Sequence, residues 1–171
     1  MERRNSLIED NIRVLRQGVE VIESAGDRLY SNPKPPLLKN GVGSHFRHCI
    51  DFYNSFLSSL GTGKINYAVR KRNPVVEISG SRATLEIEAI IKGLKRLSIA
   101  DCQKQVQVTV EDSSLLLDSS RSTVARELQH LLSHTVHHYA IIALALRLQG
   151  FEPPDEFGVA PSTLAHWKQT A

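Results

Sequence analysis

The sequence predicts an all-α protein, a four-helix bundle with one small β-hairpin inserted before the last helix. Three observations carry that expectation. Four stretches repeat apolar residues at spacings of three and four, the period of an amphipathic helix with one buried stripe. Glycine and proline punctuation separates these stretches. One short window alternates apolar and polar residues instead, which is the period of a strand.

The first helix is expected over residues 6 to 28, where Leu7, Ile8, Ile12, Leu15, Val19 and Ile22 recur on one face and Leu29 follows. The run SNPKPPLLKNG (31–41) carries three prolines, which remove amide donors and disfavour helix in the residues before them. A second helix starts at Ser44 or its neighbours, presents Phe46, Cys49, Ile50, Tyr53, Phe56, Leu57 and Leu60, and stops at Gly61 and Gly63. Residues 64 to 80 read as irregular. From Ser81, or alternatively Thr84, as N-cap, helical spacing returns with Leu85, Ile87, Ile90, Ile91, Leu94 and Leu97. Val106, Val108 and Val110 then alternate with Gln105, Gln107 and Thr109, and SSLLLDSS follows the acidic turn at Glu111 and Asp112, a hairpin pattern. The fourth helix begins near Ser122 or Thr123 and runs to Gly150, whose missing Cβ suits a helix end. Four helices with one hairpin form a helical bundle.

Composition narrows the function classes. The chain has 171 residues, one domain (1–171) by length, and a chain near this size removes roughly 70% of its unfolded surface from water without staples. Its two cysteines, Cys49 and Cys102, fall on a helix and a helix end, and nothing ahead of the first helix resembles a secretory signal, so a reduced cytoplasmic compartment is expected. The longest apolar run, YAIIALALRL, is cut by arginine well short of the roughly 18 residues of a membrane span. A net charge of +3 with acids and bases interleaved does not argue for nucleic acid.

The most informative feature is histidine spacing. His134 and His138 stand four apart, so on a helix their side chains lie one above the other and two imidazoles can grip one divalent cation. His130 and His137 share the segment, and His45 or His48 upstream is available to complete the set. Three imidazoles leave open positions for water or substrate. Three neutral ligands also preserve the cation's charge, so that water or a thiol at the ion ionises readily.

The runs GVGSHFRHCIDFY, RELQHLLSHTVHHYAIIALALRLQG and FGVAPSTLAHW together resemble the DinB and YfiT family over essentially the whole chain. The most specific parts are GxHxRHxxD at residues 43 to 51 and HTxHHY at 134 to 139. The resemblance implies a bundle of up, down, down, up topology, often dimeric. It also implies a nickel, zinc or iron ion held by one histidine of the second helix and an HxxxH pair of the fourth. Relatives with assigned chemistry are mainly enzymes of low-molecular-weight thiols, among them bacillithiol transferases and mycothiol-dependent isomerases; many others have none. Carried over position by position, the metal ligands are His48, His134 and His138. His45, one turn earlier, is the alternative to His48. His137, rotated about 100° from its neighbour His138, is expected to pack or lie in an outer shell.

Other candidates are weaker. Asp51, one turn beyond His48, is a solvated acid or an orienting group; Tyr53 and Tyr139 read as core aromatics, and Cys49 as a small buried residue. Arg70, Lys71 and Arg72 form a compact basic cluster that would suit a carboxylate or phosphate, or simply a solvated loop. In the tail from Phe151 to Trp167, a short helix near Ser162 would set His166 and Trp167 over the end of the core or against a second subunit. The expected function is a metal-dependent transferase or hydrolase acting on a small substrate, with a low-molecular-weight thiol and a homodimer as partners and neither nucleic acid nor membrane. The alternative is a non-catalytic, stress-related binding or dimerisation protein with a structural or vestigial histidine cluster.

Overall fold

In the computed structural model, which describes residues 6–32, 39–69, 71–109 and 119–170, the first apolar stripe forms α1 (Ser6–Tyr30). Ile8, Ile12, Leu15, Ile22 and Leu29 are buried as the periodicity requires, and Val14 and Val21 widen the face. Gly26 interrupts the helix with φ 72° and ψ 165°. That backbone disfavours any residue with a Cβ, so the last turn is redirected, and the Tyr30 phenol then donates to the Val76 carbonyl at 2.6 Å.

The second helix, α2 (Val42–Ser59), starts two residues ahead of Ser44, with Gly41 at the N-cap and no side-chain cap. Residues 64 to 80 are not irregular. They contain β1 (Lys64–Asn66) and α3 (Pro74–Ile78), the latter opened by Asn73, whose side chain accepts from the Val75 amide, with proline in the first turn. The next helix, α4 (Gly80–Leu94), is capped by Ser79, which accepts from the Arg82 amide, and not by Ser81 or Thr84. Leu85, expected on its apolar stripe, is 63% exposed. A short α5 (Ile99–Cys102) carries a reciprocal capping box of Ser98 and Asp101.

β2 (Gln105–Thr109) pairs antiparallel with β3 (Ser119–Thr123), Gln105 opposite Thr123, which is the hairpin pattern. The residues expected to form most of the second arm, 113 to 118, lie outside the described residues, and the observed arm starts later. β1 joins on the other edge, parallel to β2 with Ile65 opposite Val108, so the hairpin belongs to a three-stranded sheet of order β1-β2-β3. Val106 and Val108 point inward while Gln105 and Gln107 face solvent. The longest late helix, α6 (Val124–Arg147), is capped by Thr123 through the Arg126 amide, as expected. α7 (Pro161–Thr170) follows it, the short tail helix expected near Ser162.

The protein is thus mostly helical with a small sheet, and helical packing fixes the site. Both α1 and α2 pack against α4 and α6. Asn11 meets Tyr53 and Tyr30 meets Phe46, so α1 and α2 run antiparallel; Asn11 meets Leu128 and Gly18 lies against Tyr139, so α1 and α6 run parallel. Gly43 approaches α3 just ahead of α4 while Leu57 approaches Gly93, so α2 and α4 run parallel.

A polar chain crosses this apolar interior. Fully buried Asn11 donates to the carbonyls of Leu7 (2.8 Å) and Leu128 (3.1 Å) and accepts from the Tyr53 phenol (2.7 Å). Thr135 Oγ1 donates to the Leu131 carbonyl at 2.7 Å and lies 3.5 Å from the same phenol oxygen. Each buried group is satisfied, as burial demands.

The tail folds back on the helices, with Phe157 buried and stacked on Tyr139 at 4.5 Å. α7 buries no residue, and Trp167 is 45% exposed, so His166 and Trp167 do not cover the core as one sequence alternative had them. Among the described residues no helix is long and apolar enough to cross a membrane.

Candidate metal centre

The packing of α2 against α6 brings two histidine ladders face to face. Because these helices run antiparallel, His48 meets His134 and His45 meets His138. The Nε2 atoms of His48 and His134 stand 3.1 Å apart, and the Nδ1 atoms of His45 and His138 stand 3.0 Å apart. His48, His134 and His138 each present one ligand atom within 4.8 Å of the others, all three half-buried. Among the described residues no other group of histidine, cysteine or carboxylate side chains converges this way.

The residues fit an ion. Two nitrogens each about 2.0–2.1 Å from one metal stand roughly 2.8–3.4 Å apart at octahedral to tetrahedral angles. The His48 to His134 separation of 3.1 Å falls in that interval. An all-imidazole set suits zinc, copper, iron or nickel, and leaves the choice among them to geometry and supply.

The surroundings are aromatic. Phe52 lies one turn beyond His48, with its ring centroid 4.3 Å from His134 and 4.9 Å from His48, and Tyr67 stacks behind it at 5.0 Å. Neither residue was singled out for the site from sequence. The four-residue step from His48 to Phe52 was a usable signal, since it repeats the step from His134 to His138. His130 flanks this wall, 5.8 Å from both Tyr67 and His134. His137 is exposed, turned out beside His138.

Burial sets the protonation states. Desolvation pushes His138 down to about 3, reinforced by His134, His45 and His137. His45 is lowered by burial and then by His137; His130 is lowered by burial, against the opposing pull of Glu127. His45, His130 and His138 are therefore held neutral at pH 7, the form in which an imidazole ligates metal. Burial raises the thiol of Cys49 and the phenols of Tyr53 and Tyr139 well above their ordinary values, which keeps them protonated and unsuited to act as nucleophiles or bases.

An unfolded histidine binds its proton near pH 6.5, whereas the buried rings bind theirs only at lower pH, His138 at about 3. Between those values the unfolded chain holds more protons, so metal-free stability is fully present above pH 6.5 and falls as pH drops toward 3. Urea midpoints measured in chelator at pH 7.5, 6 and 5 should decline in that order; a flat series would contradict the lowered proton affinity of His45, His130 and His138.

Asp51, almost fully buried, accepts from Arg47 at 2.8 Å, and Arg47 also donates to Glu77 at 2.8 Å, tying α2 to α3. Lys71 and Arg72 line a separate cavity of about 1120 Å³ together with Asn54, Asn66 and Arg82, and no histidine borders it. Arg70 lies outside the described residues.

No family model matches the chain. Over 109 residues it is 32% identical to a protein named FK506-binding protein 5 from Rhizopus delemar, a match covering 61% of this chain and 28% of that protein. The chain therefore spans less than a third of that relative's length.

Proposed function

We propose that this chain is a DinB-like metalloprotein in which His48, His134 and His138 hold a divalent cation that activates a thiol or water for transfer or hydrolysis on a small substrate. The observation that carries the reading is the convergence of those three ring nitrogens within 4.8 Å. The helix directions support it too: relative to α1, helices α2 and α4 run down and α6 runs up, the order of an up, down, down, up four-helix bundle.

Bound there, a divalent cation supplies positive charge that lowers the pKa of a thiol or water beside it. The protein's own groups set the conditions. Three neutral imidazoles subtract nothing from that charge, and half-burial of each leaves one side open to a small molecule. Phe52 and Tyr67 stack beside the histidines and supply apolar surface that limits water. The same resemblance carries the proposals that the metal is nickel, zinc or iron, that the thiol is of low molecular weight, that two copies associate, and that the compartment is cytoplasmic.

The test combines metal analysis of the purified chain with a screen of bacillithiol, glutathione and coenzyme A against an electrophilic acceptor, with and without chelator. Saturable turnover that disappears with the metal and returns on its restoration is the expected result. Activity that survives complete metal removal overturns the mechanism. Tight metal binding without turnover on any thiol or ester places the non-catalytic binding protein ahead.

A further inference from the structure

We propose that His45 is a positioning residue for the centre, its ring Nδ1 accepting a hydrogen bond from His138 Nδ1 so that His138 Nε2 faces the ion. This rests on the metal reading above and goes beyond it by giving the second histidine of α2 a distinct role.

Two contacts join the ladders. Both are nitrogen to nitrogen and nearly equal in length, yet they use different atoms: Nε2 to Nε2 at 3.1 Å for His48 and His134, Nδ1 to Nδ1 at 3.0 Å for His45 and His138. Nε2 is the ring nitrogen far from the backbone and meets its counterpart between the helices. Nδ1 is the near one. At 3.0 Å two neutral ring nitrogens form a hydrogen bond only if one carries the proton and the other a lone pair.

That leaves two tautomer arrangements. If His45 donates, His138 carries its own proton on Nε2 and has no lone pair there for a metal. If His138 donates, its Nε2 lone pair is free to ligate, and His45 must hold its proton on Nε2. Metal binding through His138 Nε2 is compatible with the second arrangement alone. His45 is thus the acceptor that locks His138 in the ligating tautomer, the part a carboxylate or carbonyl commonly plays behind a metal-bound imidazole. The rings support the pairing, with centroids 5.2 Å apart for His45 and His138. His138 in turn sits 4.6 Å from each of His48 and His134, centroid to centroid, so the one ring touches both the outer partner and the ligand pair.

The experiment uses the full chain with ¹⁵N-labelled histidine, loaded with zinc, and two variants, His45→Asn and His45→Leu. Asparagine sets an amide oxygen near the place of Nδ1 and keeps an acceptor; leucine fills similar space without one. Two-bond proton–nitrogen correlation spectra of the zinc form should show His138 protonated on Nδ1 and ligated through Nε2. Competition with a chromophoric chelator should give His45→Leu about 10–100-fold weaker zinc binding, with His45→Asn within about threefold of the parent. Both variants should keep the parent's helical circular dichroism and thermal midpoint without metal, which separates positioning from folding.

Parent-like zinc affinity in His45→Leu overturns the proposal. So does a spectrum in which His138 ligates through Nδ1 or His45 is itself a ligand. A parent chain that takes up neither zinc, nickel nor iron defeats the metal reading itself and this inference with it, whereas a metal-binding parent indifferent to position 45 defeats only the role of His45.

Discussion

His134→Ala should lose metal while keeping its fold. Taking about 10–16 kcal/mol as the range for a four-ligand structural zinc site, one ligand accounts for roughly 3–4 kcal/mol, so affinity should drop about 10²–10³-fold. The fold should barely respond, because the interior beneath the site is Leu128, Leu131, Ile142 and Leu146, aliphatic side chains that make no use of an ion. The comparison is Leu131→Ala, three residues away and fully buried, which should cost about 2–5 kcal/mol. Isothermal titration with zinc, paired with thermal melts in chelator, reads both quantities. A His134→Ala chain that melts like Leu131→Ala would make the histidine a structural element.

Gly43→Ala should destabilise the protein although it adds only one methyl group. A Cβ at position 43 would stand 2.0 Å from the Glu77 carbonyl oxygen and 2.9 Å from the Tyr30 ring. The first obstacle is backbone, so a rotamer change cannot relieve it; α2 and α3 must separate. Overpacking of this kind costs typically about 1–3 kcal/mol, and in a chain of this size each kcal/mol lowers the melting temperature by about 2–4 °C. Separation also stretches the Arg47 to Glu77 link. Gly61→Ala, with nothing within 4 Å, is the control and should melt with the parent. Equal melting of the two variants would contradict the tight α2–α3 contact.

Gly43 belongs to the most readable part of the sequence. GxHxRHxxD at residues 43 to 51 can be read letter by letter: Gly43 admits the Glu77 backbone, His45 and His48 face α6, and Arg47 bonds Asp51 and Glu77. The long helices were legible because each buries one stripe, and a stripe is a periodic signal. β1 was not legible, since Lys-Ile-Asn is too short to establish a period, and its strand character comes from pairing with a partner some forty positions away. α3 was available in principle, for Asn73 followed by Pro74 is a start signal that basic neighbours obscured. Ser79 was passed over as a cap because Gly80 follows it, and glycine reads as an interruption of helix when its neighbours on α1 are unknown; Ile22 and Asp27 press close against it. Phe52 was missed because it lies off the core stripe, on the face that carries the histidines.

The buried link from Asn11 to Tyr53 has a consequence for how the ladders find each other. Histidines spaced three and four apart form a repeating rail, and sliding α2 by one turn, about 5.4 Å, would set His45 opposite His134 and His48 opposite His130. The imidazoles alone scarcely distinguish these alignments. The polar chain does, because it occurs once. A slipped α2 would carry the Tyr53 phenol away from Asn11 and strand a fully buried amide oxygen, a penalty of about 1–3 kcal/mol with no compensating partner. Asn11, which touches no histidine, thereby acts as a vernier mark: it breaks the translational degeneracy of the rail and decides which rungs meet.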